Sequence, residues 1–295
     1  MTVIEWIAHC THAISQADVA LGQGTLHAED EAAWLVLAAL KLPLDTDTTA
    51  LHSHLNEQDA QAITKLLKQR LDSRLPLAYL TQEAWLQGVS FYVDERCLIP
   101  RSLIAEVIAQ GRADPWLNPN SACALDLCTG GGSLAVLLAL TYPQLQVDAL
   151  DISADALAVA DINIQRHALK QRIHTRLSDG LAQAQGPYDL IVCNPPYVNA
   201  NSMAALPAEF LAEPRIALAG GVDGMDFIRR LLSDVHRFMN DEAVLILEIG
   251  HEIEHFLNAF PSLACTFLST SAGDERSEEH TSELQSRLPS RMPSS

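Results

Sequence analysis

Hydrophobic residues follow two different periods along this chain. Up to residue 74 they recur at helical spacing, as in the stripe Ile63, Leu66, Leu67 and Leu71, which follows the helix-capping residue Asn56. From about residue 121, short apolar runs alternate with helical stretches. The runs predicted as strands are residues 123–127, 147–151, 172–177, 188–193, 243–249 and 264–269. Such alternation predicts an α/β fold with a mostly parallel sheet that is covered on both faces.

The segment between these two parts has a pattern of its own. Val89, Phe91 and Val93 alternate with more polar residues after a glycine, which predicts a β-hairpin. Ser102 is then expected to cap a short helix that ends before Pro115. We therefore divide the chain into a helical N-terminal domain (1–74), a hairpin with a linker helix (75–120), an α/β domain (121–275) and a tail (276–295).

Composition restricts the class of protein. The 48% hydrophobic content of the 295 residues supports a sizeable core, and no apolar run is long enough to span a bilayer. Six cysteines form no Cys-x-x-Cys pair, so we interpret them as reduced core residues of a cytoplasmic protein and not as metal ligands. A net charge of −18 opposes binding of naked nucleic acid, and it favours a basic partner.

A glycine-rich turn connects the first predicted strand of the α/β domain to a helix. Its residues are Asp126, Cys128, Thr129, Gly130, Gly131 and Gly132. Glycines let the backbone pass close to a ligand and leave amide N–H groups facing it. Asp151 ends the next predicted strand, 19 residues after Gly132, and an acidic residue at this spacing can bind both hydroxyls of a ribose. NAD and S-adenosylmethionine fit this pattern equally well.

The sequence Asn194-Pro195-Pro196-Tyr197 follows the strand predicted at residues 188–193. Ligands of open α/β sheets bind at the carboxyl ends of strands. Two consecutive prolines fix two φ angles and remove two N–H donors, so the corner keeps mainly acceptors: the Asn194 side-chain oxygen and the main-chain carbonyls. These acceptors suit a planar –NH2 group, on which Tyr197 could stack. A proline-rich turn that merely ends the strand is the simpler alternative.

Two further features allow more than one interpretation. Asp179, after the third strand of this domain, could accept a hydrogen bond from an adenine amino group, or it could be a turn residue beside Gly180. The sequence from His251 to His255 matches the His-Glu-x-x-His zinc pattern. We interpret it as a polar helix start with acidic residues near its N-terminus, because no third ligand accompanies it.

Together these motifs resemble class I S-adenosylmethionine-dependent methyltransferases that act on amino groups. The form of residues 194–197 is typical of enzymes that methylate glutamine amides or exocyclic amines of bases. The sequence Leu98-Ile99-Pro100-Arg101 narrows the resemblance to the protein-(glutamine-N5) methyltransferases. Residues 91–96, followed by Ile99-Pro100-Arg101-Ser102, are similar to the branch that modifies the large-subunit ribosomal protein L3.

The resemblance implies a Rossmann-like methyltransferase sheet and a role for each motif. The loop 128–132 would hold the methionine part of S-adenosylmethionine, Asp151 its ribose and Asp179 its adenine. Asn194 and the Pro195 carbonyl would accept the two amide hydrogens of the substrate glutamine, and Tyr197 would stack on that amide. The predicted cofactor site also includes Asp126, Thr129 and Asn194, and the predicted substrate site also includes Pro196 and Arg101.

The implied activity is methyl transfer from S-adenosylmethionine to a glutamine side chain of a basic ribosomal protein. We expect the N-terminal domain to recognise that protein, with a purely structural role as the alternative. Two alternatives remain open at this point. One is a methyltransferase acting on adenine or guanine in nucleic acid, which the net charge opposes. The other is a catalytically silent, cofactor-binding assembly factor for the ribosome.

Three features depart from the family pattern. Gly131 stands where Ser or Thr is usual, which we expect to be harmless, and Gly180 replaces a bulkier neighbour of the adenine. The third departure is the tail, in which serine, proline and charged residues replace the apolar strand that follows residues 264–269 in the family. We therefore predict that residues 277–295 form a disordered, non-native tail, and that residues 264–269 are left as a poorly paired sheet edge.

Overall fold

The computed structural model describes residues 1–270 and 283–286. Its N-terminal part is helical, as its periodicity predicts. Reciprocal capping bonds start two of its helices, between Thr2 and Glu5 and between Asn56 and Asp59. The helices of this part are α1 (Val3–Gln16), α2 (Ala28–Ala39), α3 (Thr48–Leu51), α4 (Glu57–Ser73) and α5 (Leu77–Thr81). No helix among the described residues is both long enough and apolar enough to cross a membrane.

The predicted hairpin is confirmed. Strands β1 (Ala84–Leu86) and β2 (Val89–Phe91) pair antiparallel around Gln87 and Gly88, both of which have positive φ angles. The linker helix α6 (Ile104–Ala109) starts at Ile104, with Leu103 and not Ser102 at the cap position. The Ser102 hydroxyl still accepts the Ile104 N–H at 3.2 Å, so it supports the helix start from one residue further out.

The predicted α/β fold is also confirmed. Within the described residues, seven strands form one sheet in the order β5-β4-β3-β6-β7-β9-β8, and the first five of these pair parallel to their neighbours. The strands are β3 (Cys123–Leu127), β4 (Gln146–Asp151), β5 (Ile173–Leu177), β6 (Tyr188–Cys193), β7 (Met239–Glu248), β8 (Thr266–Leu268) and β9 (Glu283–Ser286). Because β3, β4, β6 and β7 are parallel, their carboxyl ends meet at one edge of the sheet.

Helices cover the sheet on both faces, which accounts for its nearly continuous apolar strands. Along β6, Leu190 and Val192 join a core cluster that reaches the N-terminal helices, whereas Ile191 and Cys193 pack in the cluster on the other side. The helices of this part are α7 (Ser133–Thr141), α8 (Ala154–Arg166), α9 (Ala200–Ala204), α10 (Ala208–Leu211), α11 (Arg215–Leu218), α12 (Asp226–Asp234) and α13 (Ile253–Ala259).

The predicted disorder of the tail is wrong for residues Glu283–Ser286. These residues form β9, which lies antiparallel between β7 and β8, so that Gln285 is opposite both Ile246 and Thr266. The prediction that residues 264–269 form a poorly paired sheet edge is wrong in its pairing, because β8 pairs with β9, and confirmed in its position, because β8 is the outermost strand of the sheet. Strand pairing is made by main-chain groups, so a slot between two strands can order a segment without an apolar pattern. The remaining tail residues lie outside the described part of the chain.

Candidate active site

A cavity of about 610 Å³ opens at the carboxyl ends of β3, β4 and β6. Its volume is in the usual range for a small-molecule site. Six of the predicted site residues line it: Cys128, Gly130, Asp151, Asp179, Asn194 and Pro196. The other predicted residues surround this lining without being part of it: Arg101, Asp126, Thr129, Gly131, Gly132, Pro195 and Tyr197.

Asp126 lies beneath the glycine-rich loop and is fully buried. Its Oδ2 accepts the Thr129 hydroxyl at 2.5 Å and the Ala135 N–H at 2.9 Å, which ties the loop to the first turn of α7. Its Oδ1 is buried and has no hydrogen-bond partner among the described residues. Burial raises the pKa of this carboxyl to about 7, since the charged form is poorly solvated there.

The loop itself needs its glycines for close packing. A Cβ atom on Gly132, whose φ is +80°, would lie 3.0 Å from the Cβ of Ala160 on α8. A Cβ on Gly131 would lie 3.2 Å from the Cys97 sulfur, so the glycine at this position makes room for the buried thiol. A Ser or Thr there would therefore require Cys97 to shift by a few tenths of an ångström.

Asn163 on α8 is a residue that the sequence analysis missed. It is fully buried, and its side-chain amide donates to the Gly131 carbonyl at 2.8 Å and to the Tyr92 carbonyl at 3.0 Å. Its Oδ1 accepts the Tyr92 N–H at 2.7 Å. Asn163 thus fastens the glycine-rich loop to the chain segment just after the hairpin. A single polar residue in the middle of a helical pattern gives no signal of such a contact.

Asp151 faces the cavity from the end of β4. Its Oδ2 accepts the Gly130 N–H at 2.8 Å and its Oδ1 accepts the Ser153 N–H at 2.9 Å. Burial raises the pKa of this carboxyl above its usual value, against the opposing effect of these hydrogen bonds. A carboxylate oxygen can accept more than one hydrogen bond, so both oxygens can still receive the hydroxyls of a ribose.

Asp179 lines the same cavity but is exposed, and its Oδ1 lies 3.3 Å from the Arg230 guanidinium. The ring of Phe227 packs beside Gly180, where an added Cβ would lie 3.8 Å from the ring. Arg230 in turn lies over the Phe227 ring at 5.5 Å. The two side chains of α12 therefore flank the space that the missing side chain of Gly180 leaves open, and the sequence analysis named neither of them.

Asn194 and Pro195 form the acceptor-rich corner at the end of β6. Asn194 lines the cavity. Among the described residues, no group bonds to the Asn194 side-chain amide or donates to the Pro195 carbonyl. Pro195 is buried, and Pro196 lines the cavity beside Asn194. The corner therefore offers two acceptors for which the part of the chain that the structure describes supplies no donor.

Two features fix the Tyr197 side chain: a hydrogen bond from its hydroxyl, and the limited space around its ring. The hydroxyl donates to Glu248 Oε1 at 3.1 Å. A Cβ atom on Gly250 would lie 2.3 Å from the Tyr197 ring, so only glycine leaves space for the ring there. Burial raises the pKa of this phenol well above its ordinary value, and the nearby Glu248 acts in the same direction. Tyr197 is therefore a neutral, fixed side chain at neutral pH.

Arg101 forms a two-pronged ion pair with the buried Glu213, with N–O distances of 2.5 and 2.7 Å. It also lies over the ring of Phe210 at 5.5 Å. Its predicted contact with substrate stays a prediction, because in the structure its guanidinium is engaged by these residues. Arg96 and Arg215 line the cavity instead.

The His-Glu-x-x-His sequence lies at the start of α13. Because the helix begins at Ile253, His251 precedes it and the two imidazoles are not carried on one helical face. The Glu252 carboxylate accepts from the Asn199 side chain at 2.7 Å and contacts His255 Nδ1 at 2.5 Å. Within the described residues, no group of three His, Cys, Asp or Glu side chains is placed to hold a metal ion.

The cavity fits S-adenosylmethionine in its polar groups. This cofactor carries a ribose diol and two positive charges, on its ammonium and its sulfonium. Asp151 offers acceptors for the diol. The unpartnered Oδ1 of Asp126 provides a buried acceptor beneath the loop.

Three comparisons connect this geometry with known proteins. The family model "Methyltransferase small domain" matches residues 115–223. The solved structure of the hMettl16 catalytic domain in complex with MAT2A 3′UTR hairpin 6 superposes with a TM-score of 0.52, covering 81% of this chain and 83% of that one. Its identity is only 14%, so it shows a shared fold.

Two curated relatives are much more similar. A ribosomal protein uL3 glutamine methyltransferase from Burkholderia pseudomallei (strain K96243) is 46% identical, and the match covers 92% of each chain. The enzyme of the same name from Bordetella pertussis (strain Tohama I) is 45% identical, with 93% of each chain covered. The predicted resemblance is thereby confirmed: this chain belongs to the family of ribosomal protein uL3 glutamine methyltransferases, which use S-adenosylmethionine.

Proposed function

We propose that this chain transfers a methyl group from S-adenosylmethionine to the side-chain amide nitrogen of a glutamine in ribosomal protein uL3. One observation carries the proposal. Asn194 lines the cavity and Pro195 follows it in the chain, and neither the Asn194 side chain nor the Pro195 carbonyl has a donor from the described residues. A primary amide supplies the two N–H groups that such a pair of acceptors lacks.

The acceptors of Asn194 and Pro195 can overcome the main chemical obstacle of the reaction. An amide nitrogen is a poor nucleophile, because its lone pair is delocalised into the carbonyl. Two acceptors that hold both hydrogens fix the orientation of the nitrogen and favour the positive charge that builds on it. Positioning of this kind contributes up to about 7–11 kcal/mol in favourable cases. The nitrogen is acidic after transfer and loses its proton to water, so no general base is needed.

The bound cofactor supplies an electrophilic methyl group on its sulfonium. The chain's own residues determine where that group is held. Asp151 would accept the ribose hydroxyls, the loop 128–132 would lie along the methionine part, and Asp179 would face the adenine. The ring of Phe227 offers an apolar wall beside Gly180, which compensates for the small residue at that position.

We further propose that residues 1–74 act as the substrate-recognition domain of a cytoplasmic enzyme, with residues 75–120 joining it to the methyltransferase domain of residues 121–275. Ion pairs to a buried glutamate connect this domain to the site. Arg70 and Arg74 of the helical part both contact Glu209, at 3.4 and 2.5 Å. Glu209 belongs to α10, shortly before the residues Pro214–Ala217 that line the cavity. The partner is a basic protein and not naked nucleic acid, because a chain with a net charge of −18 attracts the former and repels the latter.

The test is a transfer assay on competing substrates. Purified chain and methyl-labelled S-adenosylmethionine are incubated with ribosomal extract from a strain that lacks this enzyme, and in parallel with naked RNA and DNA. We expect label in uL3, and fragment masses should place one added methyl group on a glutamine. Label in nucleic acid alone would instead favour a base methyltransferase. An absence of any transfer by a chain that binds the cofactor would favour a silent assembly factor.

A further inference from the structure

The end of β7 supplies both constraints on Tyr197. Glu248, its last residue, accepts the Tyr197 hydroxyl, and Gly250, two residues later, leaves the space that the ring occupies. Glu248 is itself only 6% exposed. A buried carboxylate is costly unless it is hydrogen-bonded, so a position like this needs compensating donors.

The linker that precedes α6 provides those donors. The Ser102 hydroxyl donates to Glu248 Oε2 at 2.5 Å, and the Leu103 N–H donates to the same oxygen at 3.1 Å. One carboxylate oxygen thus holds the linker while the other holds Tyr197. Along the chain, Glu248 is 146 residues from Ser102 and 51 residues from Tyr197, so it joins two segments that are both distant from it.

We propose that Glu248 is a positioning residue of the methyl transfer. It acts through Tyr197, by fixing the ring next to the acceptor corner of Asn194 and by joining that corner to the linker at Ser102. This inference rests on the proposed function, because it assigns Glu248 a part in orienting the substrate amide. Glu248 does not line the cavity, so it acts without touching either cofactor or substrate.

Methyl transfer depends steeply on orientation, so a displaced ring affects turnover more than binding. A displacement of about 1 Å can cost on the order of 10²-fold in rate. Glu248→Ala should therefore lower kcat by about 10²-fold, with KM for uL3 and Kd for S-adenosylmethionine within about twofold of wild type. Glu248→Gln can still accept from Ser102 and Leu103 through its carbonyl and donate to the Tyr197 oxygen, so it should restore most of the turnover.

A comparison of single and combined variants of Glu248 and Tyr197 distinguishes a positioning role from a general loss of structure. Tyr197→Phe removes the hydroxyl and keeps the ring. If Glu248 acts through that hydroxyl, the combined variant should lose much less than the product of the two single losses. A loss equal to that product would overturn the proposal. Should Glu248→Ala fail to fold, the same comparison is made with Glu248→Leu, which fills more of the space but cannot accept a hydrogen bond from the Tyr197 hydroxyl. Glu254→Ala, at an exposed glutamate on α13, is the matched control and should leave kcat unchanged.

A crystal structure of the Glu248→Gln or Glu248→Ala variant gives a readout that does not depend on transfer. We expect the Tyr197 ring to keep its place in the first variant and to shift in the second. An unmoved ring in Glu248→Ala would overturn the positioning role, whatever the activity is. Failure of the wild-type chain to methylate uL3 would instead overturn the proposed function, and the ring position would still test Glu248.

Discussion

Arg101 and Glu213 join two chain segments, each of which contributes residues to the cavity lining. Glu213 accepts both prongs of the guanidinium, and it also accepts the Ile99 N–H at 3.1 Å. The residues that follow Glu213, Pro214 and Arg215, line the cavity, as does Leu98 on the other segment. This ion pair therefore fixes the distance between the two walls of the site.

Glu213→Ala should destabilise the fold by about 3 kcal/mol, because it leaves the three-quarters buried Arg101 without its counter-charge. Urea unfolding of the purified variant measures this loss. The matched control is Asp234→Ala, which removes an exposed ion pair with Arg237 and should cost less than about 1 kcal/mol. Equal losses in the two variants would show that burial of the pair does not matter.

Asp151→Ala should weaken S-adenosylmethionine binding about tenfold or more, since each hydrogen bond to a charged acceptor contributes about 1.5–3 kcal/mol. The variant also frees the Gly130 N–H, which Asp151 holds at 2.8 Å. Calorimetry on the free enzyme gives the dissociation constant. Asp179→Ala should have a smaller effect, because that carboxyl is exposed and already paired with Arg230. An unchanged affinity in Asp151→Ala would refute its ribose contact.

Asn194→Ala should nearly abolish transfer while cofactor binding persists, because it removes one of the two acceptors for the amide hydrogens. Asn194→Asp keeps an acceptor but adds a charge, so it should retain part of the activity. Single-turnover methylation of uL3, together with calorimetry for the cofactor, separates the two effects. Near-normal turnover in Asn194→Ala would contradict the proposed clamp on the amide.

Asp126 should make the stability of the cofactor-free chain fall as pH rises. Its pKa is about 7 in the folded chain against an ordinary 3.8, so between these values the folded chain holds a proton that the unfolded chain has lost. Relative to Asp126→Asn, the free energy of unfolding should drop by about 1.4 kcal/mol per pH unit in that window. Urea unfolding of both proteins between about pH 5.5 and 7 tests this slope. If the free energies of unfolding of the two proteins depend on pH in the same way, Asp126 is ionised over this whole pH range.

Local patterns were enough to predict the parallel strands and the loops that follow them. Apolar runs mark β3 and β6, and the residues next to them fall at one sheet edge for reasons of geometry alone. Contacts between distant segments gave no such signal. The Arg101–Glu213 pair spans 112 residues, and the contact between Asn163 and Tyr92 spans 71. No spacing rule connects residues so far apart, since their meeting depends on how whole elements pack.

Strand β9 is the clearest case in which tertiary context exceeds local preference. Its sequence, Glu283-Leu284-Gln285-Ser286, has little strand character. All four residues nevertheless pair with β7, and three of them also pair with β8. A chain that ends at Asp274 should therefore expose the edges of β7 and β8 and aggregate on mild heating. Light scattering during a thermal ramp, compared with the full chain, measures this outcome.

A single substitution tests the same strand without shortening the chain. Gln285→Pro removes a main-chain donor inside a strand paired on both sides, so it should lower the unfolding midpoint relative to the full chain. Gln285→Ala keeps the N–H and is the matched control, with a midpoint near that of the full chain. If the proline variant is as stable as the alanine variant, the main-chain pairing of β9 contributes nothing. The sheet would then be held by β3–β7 and their covering helices alone.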